Sequence, residues 1–113
     1  MHELSIAMNI VDIVSEEAKK AAATEVTDLE IEVGTLSGVV IEALEFALDE
    51  AIKNSVLEQA NISILEVQAF GRCNNCEKEY EMNELYELCP FCQSMDRTIL
   101  KGQELLVKSL KVK

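Results

Sequence analysis

Four cysteines fall as Cys73-Asn74-Asn75-Cys76 and Cys89-Pro90-Phe91-Cys92, with twelve residues between the pairs. Each Cys-x-x-Cys can close a tight knuckle whose two thiolates point at one centre. Two knuckles supply a closed tetrahedral shell of four sulfurs, the usual arrangement for structural zinc. Gly71 before the first pair and Pro90 inside the second suit tight turns. The four use up every cysteine in the chain, leaving none for a disulfide or a nucleophile. An iron site of rubredoxin type would use the same donors. Redox Cys-x-x-Cys pairs normally open a helix after a strand, and no such pattern surrounds either pair. Four thiolates also leave no position for a reactive water, so the expected role is structural. The surrounding module, residues 71–101, is too small to fold on apolar burial alone, and metal binding would supply its folding free energy.

The other residue able to ligate a metal strongly is His2, the single histidine. Beside a free α-amine, the amine, the His2 backbone nitrogen and His2 Nδ1 can close two fused chelate rings on one ion. A nearly planar nitrogen set suits Ni(II) or Cu(II) better than Zn(II). The bulky second residue favours retention of Met1. Loading such a site requires a neutral imidazole and expels protons, so acid should weaken it. The competing expectation is a solvated histidine in a frayed terminus.

The elements that position these groups can be read from periodicity. Residues 4–21 form an amphipathic helix with a stripe of Leu4, Ala7, Val11, Val14, Ala18 and Ala21, widened by Ile10. Residues 26–33 alternate, with Leu29, Ile31 and Val33 on one face and Asp28, Glu30 and Glu32 on the other, as in a half-buried strand. Gly34-Thr35-Leu36-Ser37-Gly38 reads as a turn with Ser37 as helix N-cap. A second helix is expected over 39–54, burying Val40, Leu44, Ala47, Leu48 and Ala51. Strands are expected over 61–70 and 103–112. The parity of the first changes between Ile64 and Leu65, which suggests a bulge or burial on both faces. The order helix, strand, helix, strand, zinc module, strand gives an α+β fold. Its simplest packing is a three-stranded sheet with two helices on one face and a small four-cysteine module inserted between the second and third strands. Residues 1–70 and 102–113 then form one domain and residues 71–101 the zinc-binding module.

Composition narrows the function. The formal charge is −11, from 21 acidic and 10 basic residues. Residues 1–70 carry only Lys19, Lys20 and Lys53 as bases. Phosphate-backbone binding needs clustered Lys and Arg, so nucleic acid is not an expected partner. No apolar run is long enough to span a membrane and no signal peptide is visible. Cysteines arranged for metal, without an export signal, point to a reducing cytoplasm. A thiol or metal enzyme would need a spare nucleophile with a base, or an open metal position, and neither is present. A zinc-ribbon protein- or nucleic-acid-binding module shares the cysteine spacing and is the main rival reading.

Several segments together resemble one family. Met1-His2-Glu3-Leu4-Ser5 opens the chain, and Val33-Gly34-Thr35-Leu36-Ser37 follows the first strand. Glu42-Ala43-Leu44-Glu45-Phe46-Ala47 lies in the second helix, and Gly102-Gln103-Glu104-Leu105 follows the cysteine pairs. From end to end the chain resembles the hydrogenase nickel-incorporation protein HypA family. The resemblance implies a nickel metallochaperone, not an enzyme, with Ni(II) as cargo and Zn(II) as a structural ion, working in maturation of [NiFe]-hydrogenase. The implied partners are the nickel-handling GTPase HypB, the [NiFe]-hydrogenase large subunit and, in some organisms, urease maturation proteins. The expected state is a monomer or weak homodimer. By match of position, His2 is the principal nickel ligand, with the Met1 amine and the Glu3 backbone nitrogen or carboxylate as helpers, and Cys73, Cys76, Cys89 and Cys92 hold zinc. Two features depart from common family patterns. Ile41 precedes Glu42 where proline is frequent, and no histidine stands beside either cysteine pair. The second departure argues against pH-dependent exchange of cysteine for histidine ligands. Glu42, near the start of the second helix, is only a weak candidate for a further nickel ligand; the preferred reading is a carboxylate favoured by the helix N-terminal dipole.

Overall fold

The computed structural model describes residues 2–113. In chain order its elements are α1 (Glu3–Lys20), β1 (Val26–Gly34), α2 (Ile41–Ala51), β2 (Asn61–Val67), β3 (Phe70–Cys73), β4 (Glu79–Glu81), β5 (Arg97–Lys101) and β6 (Leu105–Val112). They form two three-stranded sheets, ordered β2-β1-β6 and β4-β3-β5. The expected α+β class, with two helices and an inserted four-cysteine module, is what forms. The β4-β3-β5 sheet is an addition to the single expected sheet.

The chain separates into two compact units. One comprises the stretches through Ile31, Val39–Leu65 and Leu106–Lys113, and the other Glu32–Gly38 and Glu66–Leu105.

In the first unit, α1 packs on α2. Helix α1 is free of Gly and Pro, carries Glu3 in its first turn and ends on Lys19 and Lys20, each sign matching the helix dipole. It stops in a Schellman motif. Ala22 takes φ 54, its N–H reaches the Lys19 carbonyl at 3.0 Å, and the Ala23 N–H reaches the Ala18 carbonyl at 2.9 Å. The buried face is Ile6, Ala7, Ile10, Val14 and Ala18. Leu4, expected inside, is 53% exposed. Apolar residues ring this helix, with Met8 and Ile13 also exposed, so periodicity alone could not choose the face that α2 covers. The rest of this core is Val26, Leu29 and Ile31 from β1, Leu44, Ala47 and Leu48 from α2, and Leu57 beyond it. Helix α2 is shorter than expected. Val40 stands at its N-cap, exposed, and Ala51 closes it half-buried. Ser37 does not cap it. The Ser37 N–H closes a turn on the Gly34 carbonyl at 3.1 Å, three residues short of the helix.

In the second unit, β3 pairs antiparallel with β4 and β5, setting Gly71 opposite Tyr80 and Ile99, and Cys73 opposite Arg97. The strand expected over 61–70 is two strands, because Gln68 and Ala69 leave the extended path. Ala69 is instead buried among Cys73, Tyr80, Met82 and Cys89, with Leu36 and Ile99 against them.

Two of the quoted sequence segments meet here. The Gly34 N–H donates to the Glu104 carbonyl at 2.8 Å, and the Leu36 N–H to the Gly102 carbonyl at 2.7 Å. A Cβ on Gly34 would fall on the Gly102 carbonyl, and one on Gly102 would fall on Ala69. Both glycines are therefore required by close backbone approach, and Gly102 also by φ 111.

Candidate metal centre

The four cysteines converge. All are free thiols, and their Sγ atoms lie within 4.8 Å of one another. Cys73 and Cys92 Sγ are 3.4 Å apart, and Cys76 and Cys89 Sγ 3.7 Å. A tetrahedral ion with Zn–S bonds of about 2.3 Å needs sulfur–sulfur edges of about 3.8 Å. The donor set and its spacing fit zinc, and Cys73 and Cys89 stand within the apolar cluster of this unit.

The sequence builds each knuckle in the same way. In the first, the Cys73 N–H donates to the Lys78 carbonyl at 2.9 Å and the Glu77 N–H to the Cys73 carbonyl at 2.9 Å. In the second, the Cys89 N–H donates to the Ser94 carbonyl at 3.0 Å and the Gln93 N–H to the Cys89 carbonyl at 2.8 Å. The residue after the second cysteine of each is left-handed, Glu77 at φ 64 and Gln93 at φ 61. Backbone amides also point at sulfur, but from different positions: Cys76 N–H, three residues on, to Cys73 Sγ in the first knuckle, and Phe91 N–H, two residues on, to Cys89 Sγ in the second, both 3.4 Å.

Side chains break the equivalence. Asn75 Nδ2 crosses between the knuckles to Cys92 Sγ at 3.5 Å. Asn74 ties the first knuckle to the chain before β5. Its N–H donates to the Asp96 carbonyl at 2.9 Å, its Nδ2 to Asp96 Oδ1 at 3.0 Å, and its Oδ1 accepts from Thr98 Oγ1 at 3.2 Å. The thiols respond. In the metal-free protein the Asn75 amide, with the Ser94 backbone N–H and Cys73, lowers Cys92 to about 6. At Cys76 the largest single influence is the Lys78 backbone N–H, which lowers it. Burial and hydrogen bonds from Cys73, Cys89 and Cys92 together outweigh that and raise it to about 11. Burial acts to raise Cys89, but the backbone amides of Phe91 and Cys92, with Cys76, bring it down. Two buried polar atoms in this unit, the Tyr80 hydroxyl and Arg97 Nε, have no partner among the described residues. Burial, partly countered by the Arg97 charge, raises Tyr80.

Sequence reading missed the asparagines and the left-handed residues. The available signal was the repeated backbone problem of two Cys-x-x-Cys turns, each needing a left-handed residue to turn amides toward sulfur.

The other candidate residues lie at the start of α1. His2 is exposed and occupies the helix N-cap in extended conformation, φ −83 and ψ 142. Its carbonyl accepts the Ile6 N–H at 3.1 Å, and its side chain makes no capping bond. Glu3 Oε2 accepts the Val40 N–H at 3.4 Å, which joins the first turn of α1 to the N-cap of α2. Met1, the expected amine donor, lies outside the described residues. Glu42 occupies the first turn of α2. Among the described residues the cysteines form the one group of His, Cys, Asp and Glu close enough to hold an ion. No helix among them is long and apolar enough to cross a membrane.

Comparison with known proteins matches residues 1–112 to the family described as "Hydrogenase/urease nickel incorporation, metallochaperone, hypA". A Parabacteroides distasonis protein named hydrogenase maturation factor HypA is 51% identical over 113 residues, covering 100% of this chain and 98% of its own. A Francisella philomiragia protein of the same name is 43% identical, covering 97% of each. The solution structure of the Ni metallochaperone HypA from Helicobacter pylori shares the fold, with TM-score 0.71 and 24% identity over 99% of this chain and 97% of that one. A second, described as the solution structure of HypA protein, superposes with TM-score 0.74 at 25% identity, covering 100% and 97%.

Proposed function

The chain belongs to the HypA family of hydrogenase and urease nickel-incorporation metallochaperones, and from that premise we propose that it carries Ni(II) on its N-terminal residues and hands it on for maturation of [NiFe]-hydrogenase. The observation that carries this reading is the family match from residue 1 together with His2, exposed, extended and free of any capping bond. His2 is the principal ligand. The Met1 amine and the backbone nitrogen or carboxylate of Glu3 complete the donor set. The Glu3 carboxylate serves Val40 in the structure, so its use on nickel costs that bond. The protein is a carrier and not a catalyst. An exposed terminal site with few donors loads readily and releases by ligand exchange to a partner.

Cys73, Cys76, Cys89 and Cys92 hold a structural zinc. Bound there, the ion supplies the folding free energy that five buried side chains cannot. The receiving partners in this reading are the GTPase HypB and the immature hydrogenase large subunit, with urease maturation as a second client, in the cytoplasm.

Calorimetric titration of Ni(II) into zinc-loaded protein with its native, untagged N-terminus tests the proposal. Binding that disappears in His2→Ala and in a form with residues added before Met1 is the expected result. Equal binding in all three forms would remove the terminus as the site.

A further inference from the structure

Cys73 and Cys89 are buried, whereas Cys76 and Cys92 are half-buried. A reagent arriving from water therefore meets Cys76 and Cys92 first. Each is the second cysteine of a knuckle and each is followed by a left-handed residue, with Cys92 the more exposed of the two. A backbone amide two residues on acts on each, from Lys78 on Cys76 and from Ser94 on Cys92. The difference lies one residue earlier. Cys92 also accepts the Asn75 side-chain amide at 3.5 Å. The residue of the second knuckle that corresponds to Asn75 is Phe91, which has no side-chain donor to return. The Asn74 bonds to Asp96 and Thr98 hold the first knuckle in the position from which Asn75 reaches across.

A hydrogen bond to a thiolate draws charge from sulfur and lowers its readiness to attack carbon. We propose that Asn75 guards Cys92, and that Cys76 is therefore the ligand at which electrophiles open the metal centre. The inference rests on the zinc reading of the four-cysteine cluster. Asn75 acts through Cys92 and is a positioning residue. With iodoacetamide as probe, Cys76 Sγ forms a bond to the methylene carbon while iodide leaves with the carbon–iodine pair. The product is a neutral thioether, a far weaker donor than the thiolate, so the four-sulfur shell loses one arm.

The experiment uses the zinc-loaded full chain, whose zinc content is first measured. It is exposed to less than one equivalent of iodoacetamide, with peptide mass spectrometry to locate the label and a chelating dye to follow zinc release. The expected result is label on Cys76 over Cys92 by about tenfold, the factor a net hydrogen bond supplies. Zinc release should keep pace with labelling. In Asn75→Ala the preference should collapse through a rise at Cys92. Asn75→Asp, of the same shape but without the donor, should behave likewise, and the wild-type ratio stands without either variant. Label on Cys92 first, equal labelling in the wild type, or an unchanged ratio in both variants would overturn the inference. A chain that takes up no zinc would overturn the zinc reading and this inference with it.

Discussion

The two cysteine knuckles share a backbone and differ in side chains. Both use the same pair of main-chain hydrogen bonds and the same left-handed residue after the second cysteine. Yet the first contributes Asn74 and Asn75, which bind outward to Asp96 and Thr98 and across to Cys92, while Pro90 and Phe91 fill those places in the second. Backbone geometry decides where the sulfurs stand. The residues between the cysteines decide how each sulfur behaves.

Metal removal tests the shared part, with the largest effect. Structural zinc in small modules is worth about 10–16 kcal/mol. Chelation should therefore unfold the β4-β3-β5 sheet, read by loss of amide protection in residues 70–101, while α1 and α2 keep theirs. Cys73→Ser and Cys89→Ser should each abolish stoichiometric zinc uptake to the same degree. Unequal residual affinity would mean that the knuckles are not equivalent as ligands.

Asn74→Ala should cost about 1 kcal/mol in thermal or chemical unfolding of the zinc-loaded protein, because it removes the exposed side-chain bonds to Asp96 and Thr98. Pro90→Ala, at the corresponding place, should cost under about 1 kcal/mol. Equal losses would remove the asymmetry.

In the residual metal-free population whose module stays folded, the two second cysteines should titrate far apart. Cys92, lowered to about 6, is a thiolate at neutral pH, while Cys76, raised to about 11, keeps its proton. The signs for folding are opposite. Cys92 has a folded value below the ordinary 9.0, so its contribution is complete above pH 9 and is lost as pH falls through 6. Cys76 has a folded value above 9.0, so its contribution is complete below pH 9 and is lost as pH rises through 11. Residual amide protection of residues 70–101 in the metal-free four-cysteine protein, followed against pH, measures both. Asn75→Ala should move Cys92 upward and leave Cys76 in place.

The smallest effects concern the left-handed residues. Glu77→Gly and Gln93→Gly each relieve a strained φ and should each stabilise the zinc-loaded protein by about 1 kcal/mol. A gain at one alone would show that their backbones carry unequal strain.

Much of this was legible in the residues. Strict alternation in β1 placed Leu29, Ile31 and Val33 inside, because a strand has two faces and only one of these was apolar. The cysteine spacing announced a four-sulfur cluster because ligand chemistry allows few other uses. Legibility failed where a choice depended on distant chain. Helix α1 offers more apolar surface than one face can bury, and α2 selected Ile6 and Ile10 over Leu4. Ser37 looked like a cap, but the segment holding it pairs with Val67 and Gly102 through Thr35 and Leu36, so α2 starts later. The break between β2 and β3 comes from Ala69, drawn into the cysteine cluster, a small residue whose type gives no such warning. Asn75 could not be found by pattern, since its task lies on a sulfur seventeen positions away.

The strand order β2-β1-β6 sets a timetable for the folding chain. Strand β1 sits between β2, which follows it by one helix, and β6, which comes only after the whole cysteine module. Both knuckles close over short loops, while one side of β1 must find a partner as distant along the chain as Lys111. Local turns form quickly and distant strand pairing slowly. The metal module is thus poised to mature first, and the sheet of the first unit is finished last.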